Sequence, residues 1–174
     1  MSGAVTLDAL NLMTFDEFVA LLGGVFEKSP WVAQQAEAAR PFGSVAALHS
    51  AMVQCIENAG IRPQLELICA HPELAGKAAI AGELTEESTR EQAGAGLSHC
   101  TAEQFSELHR LNAAYNQRFG HPFILAVRGY DRVGILGEFS RRVSADPEQE
   151  RGECLRQIYR IGQLRLADLV TDSQ

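Results

Sequence analysis

One run in this chain, Phe123-Ile124-Leu125-Ala126-Val127, has the character of a β-strand, and no second run offers it a partner. A lone strand cannot satisfy its own backbone, because the N–H and C=O groups of a sheet pair with a neighbouring strand. Elsewhere apolar residues recur at helical spacing, and the segments tend to open on Ser, Thr or Asp and close near Gly or Pro. The pattern predicts an all-α fold, a single-domain helical bundle with short connecting loops and one buried extended segment at 123–127. The alternative for that run is the start of a helix.

Thr14 is placed to cap a helix carrying Phe15, Phe18, Val19 and Leu22, with Glu17 as the acid of a capping box. Ser29-Pro30 reads as a cap and a first-turn proline for a helix over 31–39. Ser44 opens a helix bearing Leu48, Met52 and Ile56, and Arg62-Pro63 opens a short one running up to His71. Thr85, Thr101 and Asp131 mark further starts, and Asp146-Pro147 precedes a long last helix. Residues 1–13 read as a flexible N-terminal arm, and 14–171 as the helical domain.

The 174 residues suit one domain with a real core. A formal charge of −7 without a basic block argues against nucleic acid as a partner. No apolar run approaches the roughly 18–20 residues that span a bilayer, so no membrane role is expected. The N-terminus lacks the charged-then-apolar pattern of a secretory signal. Cys55, Cys69, Cys100 and Cys154 form no CxxC pair, so no metal site is expected, and reduced, buried thiols serving packing are the default. A cytoplasmic location follows as an expectation.

Two stretches carry the chemistry. His71 directly precedes Pro72, and proline disfavours helical geometry in the residue before it. His71 should therefore sit at a helix end, where a titratable ring can project into a cleft. Ser88, Glu91 and Gln92 stand at i, i+3 and i+4, one face of a helix. That face could converge on a small polar target; from spacing alone a capped helix with a solvated face is the commoner outcome. Arg165 lies between Leu164 and Leu166 and by itself reads as a surface arginine or a salt-bridge partner. No Gly-rich phosphate loop and no nucleophile elbow is present.

Five motifs in order sharpen this: His71-Pro72-Glu73-Leu74-Ala75-Gly76, Ser88 through Leu97, Leu111-Asn112-Ala113-Ala114-Tyr115, Arg118 through Ile124, and Leu164-Arg165-Leu166. Together they resemble the OHCU decarboxylases, which act on 2-oxo-4-hydroxy-4-carboxy-5-ureidoimidazoline in the last step from urate to (S)-allantoin. The resemblance covers nearly the whole chain. It implies an all-helical fold, no cofactor, an anionic small-molecule substrate and a homodimer. It matches His71 to the catalytic histidine, with Pro72 a neighbouring contact. Ser88, Thr89, Arg90, Glu91 and Gln92 match the substrate-binding turn, and Phe123, Ile124, Leu125, Ala126 and Val127 the backbone-contact segment. Arg165 matches the anion-binding arginine. His121 departs from the pattern, standing where a bulky apolar residue is usual.

Within that resemblance His71 is expected to move protons, and Glu91 to orient His71 or accept the substrate hydroxyl. Replacing Arg165 by lysine is expected to impair turnover strongly, and by methionine more so, with thermal stability little changed. The competing readings are an enzyme acting on another ureido compound and a non-catalytic helical binding module.

Overall fold

Several helix starts in this chain are set by side chains that satisfy otherwise unpaired backbone N–H groups. The computed structural model describes residues 3–174. In it Thr14 and Thr101 form capping boxes with Glu17 and Gln104. Ser44, Thr85 and Asp131 each accept the N–H three residues on. The fold is helical almost throughout, as the spacing predicts, and its described residues form two compact units.

The first unit runs to Ala70 and takes up the chain again from Tyr159. It holds β1 (Val5–Thr6), α1 (Leu7–Asn11), α2 (Phe15–Leu22), α3 (Trp31–Ala36), α4 (Val45–Asn58), α5 (Ile61–Ala70), the end of the last helix and β2 (Val170–Thr171). Phe18, Leu22, Phe26, Leu48, Met52, Ile56 and Leu166 are fully or almost fully buried there. A β-carbon at Gly162 would lie 2.7 Å from the Phe26 ring, so only glycine lets the last helix approach it.

The second unit, His71–Ile158, holds α6 (Lys77–Ala81), α7 (Glu86–Gly94), α8 (Ala102–Phe119), α9 (Arg132–Arg142) and the first part of α10 (Pro147–Leu169). The run at 123–127 is neither helix nor strand, and all five residues are buried. A buried segment that is not helical, and has no partner strand among the described residues, is therefore observed.

Several expectations change. The arm expected over 1–13 contains packed structure in its described part: Leu7 and Leu10 are buried, and Val5–Thr6 pairs in parallel with Val170–Thr171. Residues 1–2 lie outside the described residues. Ser29 does not cap α3; its hydroxyl donates to the Glu27 carbonyl, and Pro30 holds the cap position. Phe15, expected in the core, is 47% exposed. Of the four cysteines only Cys154 is buried, and Cys69 is exposed.

Candidate active site

His71 follows the last residue of α5, the break that Pro72 imposes. It is buried, and it opens a loop, 71–76, held by two helices of the same unit. From α7, the Gln92 amide oxygen accepts Ala75 N–H at 2.9 Å and its nitrogen donates to Glu73 O at 3.3 Å. From α8, Asn112 Nδ2 donates to Leu74 O at 3.0 Å, and Asn116 donates to the Glu73 carboxylate. The turn itself is tight. Ala75 has φ +50°, and a β-carbon at Gly76 would fall 2.7 Å from that of Glu73. A non-glycine residue in that left-handed region persists only where its surroundings over-determine it. Here the Gln92 and Asn112 amides do so.

The face at 88, 91 and 92 is not a solvated one. Ser88 and Gln92 are buried and Glu91 is half-buried, whereas Thr89 and Arg90 are exposed. Thr89 donates its hydroxyl back to Thr85 O at 2.8 Å. Gln92, expected to converge on a ligand, uses both ends of its amide on the loop bearing His71. Pro72 is half-buried beside the histidine. Next to α7 lies a mostly apolar cavity of about 540 Å³, walled by Ala75, Ile80, Leu84, Gln92, Leu97 and Phe105 among others. Ala75 and Gln92, which meet in the loop that His71 opens, stand in its wall together with Thr89.

Segment 123–127 rests on a buried polar network that the sequence did not reveal. Arg142 and Glu150 are 1% and 2% exposed and pair at 2.6 Å, with Arg142 Nε donating to the same carboxylate oxygen at 2.8 Å. Arg142 also donates to Ile124 O at 2.6 Å and lies over the Phe123 ring. Tyr115 donates its hydroxyl to Glu150 at 2.6 Å and touches Cys154 Sγ at 3.2 Å. Burial alone would lower the Arg142 pKa, but the Glu150 carboxylate outweighs it and the guanidinium stays above its ordinary range. Burial pushes the Cys154 thiol up to about 11 and raises the Tyr115 hydroxyl as well. Burial thus disfavours the Cys154 thiolate, and its sulfur belongs to the buried network.

His121 fills the place of an apolar residue by packing as one. It is buried against Tyr115 and Phe119, and its Nδ1 bonds Pro122 O at 3.0 Å. Arg165 belongs to the first unit, where it is 5% exposed and pairs at 2.9 Å with Glu27, itself 1% exposed. It also donates to Gly24 O at 3.2 Å. A surface arginine is excluded. The salt-bridge reading is observed, and it revises the expected silence in stability. Asn112 had a legible signal, an amide among Leu108, Leu111 and Tyr115 on the buried face of α8. Arg142 and Gln157 had none.

Comparison with known proteins places this geometry. The family model for OHCU decarboxylase matches residues 11–167. The chain is 38% identical over 164 residues to a 2-oxo-4-hydroxy-4-carboxy-5-ureidoimidazoline decarboxylase of Haloferax volcanii, covering 94% of this chain and 95% of that protein. It is 38% identical over 167 residues to the uric acid degradation bifunctional protein PucL of Bacillus subtilis, of which it spans 33%. Its fold superposes on a crystal structure of (S)-allantoin synthase with a TM-score of 0.74 and 28% identity, covering 95% of this chain and 54% of the other.

Proposed function

The chain belongs to the OHCU decarboxylase family, and on that premise we propose that it decarboxylates 2-oxo-4-hydroxy-4-carboxy-5-ureidoimidazoline to (S)-allantoin in urate degradation, with His71 as general acid and base and no cofactor. The observation that carries this reading is the extent of the match, 38% identity over nearly the full length of a decarboxylase. The chemistry agrees with it. Loss of CO2 leaves an electron pair on the ring carbon that bears the hydroxyl, and the adjacent C=N bond accepts it. The protein has to orient the carboxylate, take the hydroxyl proton as that carbon becomes a carbonyl, and return a proton to one face of the neighbouring carbon that carries the ureido group.

Histidine titrates near neutrality and suits both transfers. The ties from Gln92, Asn112 and Asn116 support this role, because a catalytic ring must be carried on a fixed backbone to act on one face. In this reading Glu91 orients His71 or accepts the hydroxyl hydrogen bond. Pro72, Ser88 through Gln92 and the 123–127 backbone hold the ring, and Arg165 presents its planar fork to the carboxylate or a ring oxygen. A homodimer and a cytoplasmic location complete the proposal. No helix among the described residues is long and apolar enough to cross a membrane.

The direct test is optical rotation of allantoin formed from freshly generated substrate. Rotation of the (S)-enantiomer should appear only with the protein present, and should survive dialysis against EDTA. Racemic product, or activity that a metal must restore, overturns the corresponding part of the proposal. Turnover of allantoin or allantoate instead would favour the other-ureido reading.

Arg165 separates the enzyme from a mere scaffold. Arg165→Lys retains a charge for Glu27 but loses the two-pronged contact, so turnover should fall strongly with most stability kept. Arg165→Met should be worse in turnover and should also cost about 3 kcal/mol, since Glu27 is left buried without its cation. Steady-state kinetics and melting curves read the two effects apart. Normal kcat/KM in a folded Arg165→Met variant removes Arg165 from the site.

A further inference from the structure

The backbone of 123–127 is buried without a partner strand, so its hydrogen bonds must come from elsewhere: Val127 O accepts Tyr130 N–H at 2.9 Å, and side chains reach two further groups. Two such bonds alternate along it. Arg142 of α9 donates to Ile124 O at 2.6 Å, and Gln157 of α10 accepts Ala126 N–H at 3.0 Å. In extended chain a carbonyl and the N–H two residues later point to one side, and both groups of the intervening residue point to the other. On such a path the Leu125 N–H and C=O face away from Arg142 and Gln157. They form a donor and an acceptor side by side, the complement of a cyclic amide edge carrying N–H next to C=O.

Gln157 is itself held. Its Nε2 donates to Glu153 Oε1 at 2.8 Å, one turn back on α10, which fixes the amide oxygen as the end facing Ala126.

We propose that Gln157 is a positioning residue for substrate recognition: by holding Ala126 N–H it sets the Leu125 peptide groups that read the ring amide of the ureidoimidazoline. This deepens the functional reading above and rests on its placing 123–127 against the substrate. It also assigns Glu153 a purpose, the orientation of the Gln157 amide. Nothing in this arrangement touches the carbon that loses CO2, so binding rather than chemistry should respond.

The test compares Gln157→Leu with the exchanged pair Glu153→Gln/Gln157→Glu, which keeps an acceptor at 157 and a donor at 153. Wild-type turnover is measured first; its absence strikes the functional reading and is recognisable as such. Given turnover, Gln157→Leu should raise KM and the Kd for (S)-allantoin by about tenfold, the scale of a lost hydrogen bond. Its kcat should change less and its melting temperature little, and the exchanged pair should return KM toward wild type. Unchanged KM in folded Gln157→Leu overturns the proposal. So does a parallel loss of kcat and melting temperature that the exchanged pair does not rescue, which marks a structural role only. Amide exchange at Leu125 and Ala126, read without substrate, tests the clamp independently. It should accelerate in Gln157→Leu, and no acceleration overturns the inference whatever the kinetics.

Discussion

His71→Asn and His71→Ala should each lower the rate of enantioselective allantoin formation by about 10²–10⁴-fold, the usual contribution of a general acid–base group. The fold should survive. The loop that begins at His71 is tied through Ala75 N–H, Glu73 O and Leu74 O to Gln92 and Asn112, and none of these bonds uses the imidazole. Melting temperature and far-ultraviolet circular dichroism should therefore stay close to wild type while kcat collapses. The pH–rate profile adds a second readout, because removing the titrating ring should remove the limb it causes. Near-normal turnover by a correctly folded variant would falsify the assignment of His71.

The largest stability effect should come from Arg142→Met. Its guanidinium is 1% exposed and satisfies Glu150 and the Ile124 carbonyl together. Removing it leaves a carboxylate buried at 2% exposure and a backbone carbonyl without its donor. Breaking a buried pair this way costs about 3–5 kcal/mol, and the extra carbonyl argues for the upper end. For a chain of this length that corresponds to a fall in melting temperature of about 10–20 °C. Two controls sharpen the result. Arg142→Met with Glu150→Leu should recover part of the loss, because no charge is then stranded. Arg141→Met should be almost silent, although Arg141 also meets its partner, Glu138, at 2.6 Å, because its side chain is 65% exposed. A small shift in the Arg142 variant would mean that water reaches Glu150.

The contrast between these adjacent arginines shows where sequence reasoning reached its end. Both stand in the last turn of α9, and both suit the helix dipole. Nothing local distinguishes the solvent-facing one from the one that anchors Ile124. The same holds on α7, where Ser88 and Gln92 are buried and their neighbours Thr89 and Arg90 are exposed. Phe15 misled in the opposite direction: its spacing placed it with Phe18 and Leu22, yet it faces solvent in the first turn of α2.

What the sequence determined by itself was local. Caps at Thr14, Ser44, Thr85, Thr101 and Asp131 act over three residues, and the break at His71-Pro72 acts over one. Short-range sterics and hydrogen bonds decide such features, so they can be read without knowing what packs where. The ordered motifs around His71, Ser88 through Gln92 and Arg165 marked the family for the same reason, as strings of residues. Tertiary structure decided the remainder. Val5–Thr6 finds Val170–Thr171 across 165 residues, Arg165 finds Glu27 across 138, and Asn112 finds Leu74 O across 38. Burial makes these pairings selective, since a polar group removed from water must take whichever partner the packed chain brings within reach. That partner is set by how the helices pack, which the helical period alone does not encode.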